Sequence, residues 1–336
     1  MKALFIGGTG TISSAAAALA VKNGVELTLL NRGSHPELVP QGAELLQADI
    51  NDEDSVCKLL QGRKFDVVAD FIAYLPAHVE RDIRLFSGKT NQYIFISSAS
   101  AYQKPASNFL ITESTPLCNP YWQYSRNKIA CEEILMLAYR SDNFPVTIIR
   151  PSHTYGDTKV PVAISGSKGN WQVLERMRAG KPIIVHGDGL SLWVLTHNTD
   201  FAKGFVGLMD NPHAIGEAVH ITSDEVLTWN AIYRTIGKAL DVEPNLVHIP
   251  SEFLAAYNPE FLGGLLGDKS NSVVFDNTKI KTLVPGFCAQ VRFDQGIRHT
   301  VDFLLSHPEY QVPDPEFDTW CDKVISAYCS GMLKSF

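Results

Sequence analysis

The sequence predicts an α/β protein, a doubly wound parallel sheet joined to a smaller, partly interleaved lobe. Three observations lead there. Strand and helix signals alternate through the first half of the chain. The strands are near-continuous apolar runs, which suits a parallel sheet covered on both faces. A glycine cluster, Gly7-Gly8-Thr9-Gly10, stands between the first strand and the first helix. At 336 residues, 45% hydrophobic and 19% charged, the chain can bury a large core. Single cores stop growing near roughly 250 to 300 residues, so a companion lobe is expected.

Ala3 to Ile6 reads as a strand, Ser13 to Lys22 as a helix and Glu26 to Leu30 as a strand, which makes a βαβ opening. Further strands are expected near Leu45 and at Val67 to Ile72, Tyr93 to Ser97 and Val146 to Arg150. Helical stretches surround Val56, Ile83 and Ile129. Beyond Pro151 the regularity weakens into a Gly/Ser cluster from Ser165 to Gly169, a short strand at Ile183 to Val185 and the turn Gly187-Asp188-Gly189. Amphipathic helices follow near Asp200 to Met209, Trp229 to Leu240 and Phe293 to Ser306. The expected partition is a dinucleotide-binding domain over 1–152, with 190–224 returning to it. The segments 153–189 and 225–336 then form a substrate-binding lobe and C-terminal helices.

A formal charge of -7 and no basic run argue against a nucleic acid partner. The six cysteines are scattered and never closer than eight apart, so neither a metal knuckle nor a disulfide frame is expected. No apolar run reaches the roughly 18 residues of a membrane span, and Ala3 to Ile6 is too short for a signal-peptide core. A soluble, cytoplasmic protein with no metal and no membrane partner is the expectation.

Gly7 to Ser13 has the spacing of a dinucleotide-binding turn on a Rossmann sheet. Gly7 and Gly10 let the backbone approach a pyrophosphate, and Thr11 and Ile12 open a helix whose N-H groups face the anion. Ser13 takes the third small position. About twenty residues on, where an NAD site places a carboxylate, the second strand ends in Leu30-Asn31-Arg32-Gly33. Asn31 and Arg32 offer donors and positive charge to the 2′-phosphate of NADP, with NAD the alternative; Arg32 could equally lie solvated or stack on adenine. Asp49, with Ile50, is placed to contact the adenine. Phe71 and Ala73, near the end of a later strand, are further expected cofactor contacts.

Tyr124 and Lys128, four apart on one helix face, form a proton-transfer pair. A phenol with a reference pKa near 10 is a poor base at neutral pH, and a nearby ammonium would move it toward the operating range. Ser97-Ser98-Ala99-Ser100 follows an apolar strand at the end of the sheet where ligands bind.

This order of elements resembles the extended short-chain dehydrogenase/reductases, the NAD-dependent epimerase/dehydratase family, over nearly the whole chain. The resemblance implies Ser98 as catalytic serine, Tyr124 as catalytic tyrosine and Lys128 as ribose-binding lysine. Arg150-Pro151-Ser152-His153-Thr154-Tyr155-Gly156 resembles the RPxxxYG segment lining the nicotinamide, and Glu113 with Thr115-Pro116 the E-x-T-P segment. Sugar dehydratases of the family carry an Asp-Glu pair after the serine or threonine. Ala99 and Ser100 stand here, so dehydration is not expected. Trp193 stands where nucleotide-sugar epimerases hold a diphosphate-binding arginine. It either stacks on a sugar face or packs the core.

Ser100, Tyr121 and Trp193 are the substrate-facing candidates, and His153 is a wall residue or an added acid/base. Cys118 more plainly has a core or loop role, and Arg292 and Arg298 are possible anion ligands. The expected activity is NAD(P)-dependent oxidation, reduction or epimerisation at a secondary alcohol or ketone of a sugar-like molecule, with a nucleotide-sugar epimerase as the alternative. A different class is also open: Asn31-Arg32-Gly33 and Thr228-Trp229 resemble atypical members such as chloroplast stem-loop RNA-binding proteins, and an NADP-sensing regulator is conceivable. Relatives pair through two helices per subunit, so a homodimer is a further expectation.

Overall fold

The computed structural model describes residues 1–333. Seven strands form the main sheet: β1 (Lys2–Ile6), β2 (Glu26–Asn31), β3 (Glu44–Gln47), β4 (Phe65–Asp70), β5 (Thr90–Ile96), β6 (Val146–Pro151) and β7 (Ala218–Ile221). Their order is β3-β2-β1-β4-β5-β6-β7 and every pairing is parallel. The order reverses at β1, and ligands of such sheets sit outside the carboxyl ends of the strands at that switch.

Alternation along β1 shows how the layers divide. Ala3 and Phe5 face one core with Ala16, Ala17 and Ala20 of helix α1 (Thr11–Lys22) and Phe201, Phe205 and Leu208 of a later helix. Leu4 and Ile6 face the opposite core with Val56, Val79, Leu85, Cys131 and Leu135. Those residues lie on α2 (Glu53–Leu59), α3 (Pro76–Phe86) and α4 (Gln123–Asp142). Both faces are dry, which is why these strands read as unbroken apolar runs.

The fourth strand stops at Asp70 rather than continuing to Ile72. The Asp70 carboxylate accepts the N-H groups of Ile72 (2.6 Å) and Ala73 (2.8 Å), so the chain turns out of the ladder although its next side chains are apolar.

A third core fills the smaller lobe. It gathers Trp171 of α5 (Trp171–Arg178), Trp193, and Trp229, Tyr233 and Ile236 of α7 (Trp229–Ala239) with Ile297 and Val301. Between these two helices, α6 (Asn198–Leu208) and β7 belong to the main sheet and its layers. Residues 278–287 also pack there: Ile280 and Phe287 join the α1/α6 core, away from the lobe with which the sequence groups them. Glycines on α6 make room for that contact. A Cβ at Gly207 would lie 2.3 Å from Val284, and one at Gly204 would lie 3.0 Å from Phe287. Among the described residues no helix is long and apolar enough to cross a membrane.

Candidate active site

The glycine turn forms one wall of a groove. Gly7 has φ +80°, and a Cβ there would lie 2.3 Å from the Ile72 side chain, so the position admits only glycine. Ser13 does more than stay small: its Oγ accepts the Gly10 N-H (2.8 Å) and donates to the Gly7 carbonyl (2.8 Å), which locks the turn. Helix α1 follows with no acidic residue in its first turn, leaving its N-terminus open to an anion.

The groove is a cavity of about 630 Å³ lined by Gly7, Gly10, Asn31, Arg32, Asp49 and Ile50 among others. Asn31 Oδ1 accepts the Gly33 N-H (2.8 Å) and Gln47 Nε2 donates to the Arg32 carbonyl (3.1 Å), fixing that turn. Arg32 is exposed, and its guanidinium makes no ion pair among the described residues. Asp49 Oδ1 takes the N-H of Asn51 (3.0 Å). The glycine cradle and open helix terminus suit a dinucleotide and its pyrophosphate. Ser34, His35, Tyr74 and Arg81 line the same groove, a contribution that no motif announced.

An adjoining cavity of about 390 Å³ brings together Ile12, Phe71, Ser98, Ser100, Tyr124, Lys128, Pro151, His153 and Trp193. Lys128 is buried, and its ammonium donates to the carbonyls of Ala73 (2.6 Å) and Ile96 (2.6 Å), leaving one of its three donors free. Burial pulls its pKa down to about 8. The ammonium is 5.8 Å from the centre of the Tyr124 ring. The Tyr124 phenol is held above its usual value by burial, with a hydrogen bond from Ser98 acting against that. The spacing alone predicts a phenol lowered by the lysine. The structure differs in that desolvation of the phenol outweighs the influences that would lower it, while the ammonium donates to two backbone carbonyls.

Three hydroxyls polarise one another behind the tyrosine. Ser125 Oγ donates to Ser100 Oγ (2.8 Å), which lies 2.9 Å from Ser98 Oγ. Ser98 Oγ also accepts the Ser100 N-H (3.2 Å). With Ser100 donating onward, the Ser98 oxygen is supplied with protons and its own O-H is released toward the cavity. Ser100 therefore lines the cavity with its hydroxyl already engaged.

Two buried charge clusters hold these groups in place. Arg150 reaches Glu132 through Nη2 (2.6 Å) and Nε (3.0 Å), and Ser97, next to Ser98, donates to the same carboxylate. Arg81 contacts Asp82 (2.9 Å), Asp70 (3.3 Å) and Asn51 (2.8 Å), so the Asp70 turn that presents the Ala73 carbonyl to Lys128 is braced from the groove side. Asn119 Nδ2 ties the Ser100 carbonyl (2.9 Å) to the Gly267 carbonyl (2.7 Å).

His153 is pushed well below its ordinary value by burial and by the charges of Lys269 and Lys159. Its Nδ1 accepts from Trp193 Nε1 (3.3 Å), as a neutral ring can. Trp193 both lines the cavity and packs Trp229, with ring centres 5.3 Å apart.

Three predicted contacts line neither cavity. The Thr11 carbonyl accepts from Asn198, Ala73 serves through its carbonyl, and Tyr121 packs toward Gly267. Arg298 is turned to the carbonyls of Ala239 and Lys238, and Arg292 to Asp294, so neither reaches the site as an anion ligand. Glu113 Oε1 takes the His220 N-H (3.2 Å), a structural tie. Sequence reasoning missed Lys104, Lys159, Asp268 and Lys269, which all line the second cavity. Lys104 and Lys159 come from irregular loops, and Asp268 and Lys269 from a single π-helical turn, where no apolar periodicity marks them.

The NAD dependent epimerase/dehydratase family matches residues 3–222. The chain is 26% identical to 2'-dehydrokanamycin reductase of Streptomyces kanamyceticus over 76% of its own length and 71% of that protein. It is 30% identical to the chloroplast stem-loop binding protein of 41 kDa b of Arabidopsis thaliana over 75% of its own length and 67% of that protein. Among solved structures, the epimerase Mth375 of Methanothermobacter thermautotrophicus superposes with a TM-score of 0.76 at 17% identity, covering 92% of this chain and 93% of that one. That likeness establishes the fold. The family match, across the glycine turn, Ser98, Tyr124, Lys128 and β7, goes further: the chain belongs to the NAD dependent epimerase/dehydratase family.

Proposed function

We propose that the protein transfers hydride between a nicotinamide dinucleotide and a secondary alcohol or ketone of a sugar-like small molecule. The observation that carries this is the convergence of Ser98, Tyr124 and Lys128 on one cavity that adjoins the glycine-lined groove. When bound, the dinucleotide supplies or takes up the hydride. The free donor of Lys128 holds a ribose hydroxyl, and Ser98 donates to the substrate oxygen. Tyr124 gives that oxygen a proton, or removes one in the reverse direction. A phenol is protonated at neutral pH, which is the form that gives a proton to a ketone oxygen.

Net reduction and epimerisation use the same three groups. Stoichiometric loss of 340 nm absorbance with a ketosugar is the result expected of a reductase. Cofactor that survives purification and is undepleted by substrate marks an epimerase.

The pH dependence follows from the same groups. Reduction needs a neutral Tyr124 and a charged Lys128, and Lys128 titrates first, at about 8. The reductive kcat/KM is expected to be level through neutrality and to fall about tenfold per pH unit well above 8, as one essential proton is lost. A rate that rises through that range would make the phenolate the working form.

We read the groove as preferring NADP, on the strength of the unpaired Arg32 and the missing carboxylate. Arg32→Ala is expected to raise KM for NADP by about 10- to 100-fold, the scale of one lost charge-assisted contact, and to leave KM for NAD nearly unchanged. Steady-state titration of both cofactors checks this.

The 30% identity to a stem-loop binding protein favours RNA binding as a second reading. A filter-binding assay with stem-loop RNA over a range of salt separates the two readings. Salt-dependent retention would support RNA binding, and none is expected from a chain of charge -7.

A further inference from the structure

The second cavity holds charges that hydride transfer does not use. Lys104, Lys159 and Lys269 line it against a single carboxylate, Asp268. Three lysines less one aspartate leave two positive charges, before Lys128 is counted. The four come from three separate places: Lys104 beyond the turn Ala99–Ala101, Lys159 from the loop after Tyr155, and Asp268 and Lys269 from the π-helical turn Leu265–Lys269. They are graded in depth. Lys104 is 3% exposed, the Lys269 side chain 15%, and Lys159 stands exposed at the mouth.

These charges are poorly neutralised. The Lys104 ammonium makes no hydrogen bond or ion pair among the described residues, and burial lowers its pKa, with only the charge of Asp268 acting against this. The Lys269 ammonium approaches Asp268 at 3.8 Å and donates to the Gly264 carbonyl at 3.4 Å. A buried ammonium without a partner is costly, and Lys104 is in that position, so an anion in this lysine-lined cavity would offset the cost.

The turn carrying two of these charges is rigidly built. The Lys269 carbonyl accepts from His186 Nε2 (3.0 Å), Ser191 Oγ (3.0 Å) and Trp229 Nε1 (3.2 Å), while Asn119 holds the Gly267 carbonyl. π-Helical turns are uncommon and concentrate at functional sites.

We infer that Lys104, Lys159 and Lys269 form an oxyanion-binding subsite, and that the substrate is an acidic sugar whose carboxylate or phosphate these ammoniums receive. This rests on the proposed hydride transfer and names its substrate class. It also accounts for Trp193, which stands where the family resemblance implies an arginine: the positive charge enters from three other segments. The same lysines repel a polycation, so a polyamine sugar of the kanamycin type does not fit.

The test is calorimetric titration of the NADP-loaded protein with D-glucuronate, glucose 1-phosphate, UDP-glucose, glucose and kanamycin. At least one of the three anions is expected to bind about tenfold or more tighter than glucose or kanamycin, with affinity falling as salt rises. The best of the three identifies the group as a carboxylate, a phosphate monoester or a diphosphate. Lys104→Met and Lys269→Met should each weaken that anion about tenfold or more and leave NADP affinity unchanged. Should Lys104→Met fail to fold, Lys269→Met and the exposed Lys159→Met carry the test. Glucose or kanamycin binding as tightly as every anion, or anion affinity unaltered in the variants, would overturn the inference. Binding is read without turnover, so a failed hydride transfer would sink the functional reading and leave the anion subsite standing.

Discussion

Tyr124→Phe is expected to lower kcat for hydride transfer by about 10²- to 10⁴-fold, the range for a positioned acid or base. The substitution removes one oxygen. The ring contact with Trp122, at 5.0 Å between centres, needs no hydroxyl, and neither do the bonds from Lys128 to the Ala73 and Ile96 carbonyls. Cofactor affinity should therefore hold, and the loss should fall on kcat and kcat/KM together, as when an interaction made only in the transition state is removed. Single-turnover absorbance at 340 nm, paired with cofactor titration, checks both halves. An equal loss of cofactor binding would show that the phenol supports the groove and leave its role in proton transfer without support.

Arg150→Met is expected to produce the largest loss of stability. Arg150 and Glu132 are paired through two nitrogens, with side chains 6% and 4% exposed. Removing the cation leaves a buried carboxylate with Ser97 as its remaining side-chain donor, a situation that costs about 3 to 5 kcal/mol. For a chain of 336 residues each kcal/mol lowers Tm by roughly 1.4 °C, so a drop of about 4 to 7 °C is expected. The cost lies in the orphaned charge more than in the lost attraction. Arg150→Met combined with Glu132→Leu should thus recover part of it. Thermal melts of the single and double variants decide: a double variant less stable than Arg150→Met would contradict this account. Because Ser97 adjoins Ser98, the single variant should also lower kcat.

The main sheet was legible because its strands are buried on both faces and its helices carry apolar stripes, and both leave periodic marks in a sequence. The glycine turn was legible because Gly7 tolerates no side chain. The end of β4 was not, since a carboxylate two residues ahead overrides the apolar pattern of Phe71 to Ala73. Spacing placed Tyr124 and Lys128 on one helix face, but the long lysine side chain ends at two carbonyls, and that endpoint depends on β5 and the Asp70 turn. Lys104 lies in an irregular segment and Lys269 in a single π-helical turn, and their convergence is a product of the tertiary fold. Arg81 and Asp82 sit on a helix whose apolar stripe was readable, but a buried charge pair facing the sheet has no periodic signature of its own.

The central claim is that hydride passes to a carbon whose oxygen is held by Ser98 and Tyr124. The most direct measurement uses NADPH deuterated at C4 of the nicotinamide with a panel of acidic ketosugars, followed by NMR of the product. Deuterium is predicted on the new carbinol carbon with the wild-type protein and to be lost with Tyr124→Phe. Deuterium that stays on the cofactor with every ketosugar, or that is transferred as readily by Tyr124→Phe, would contradict the account.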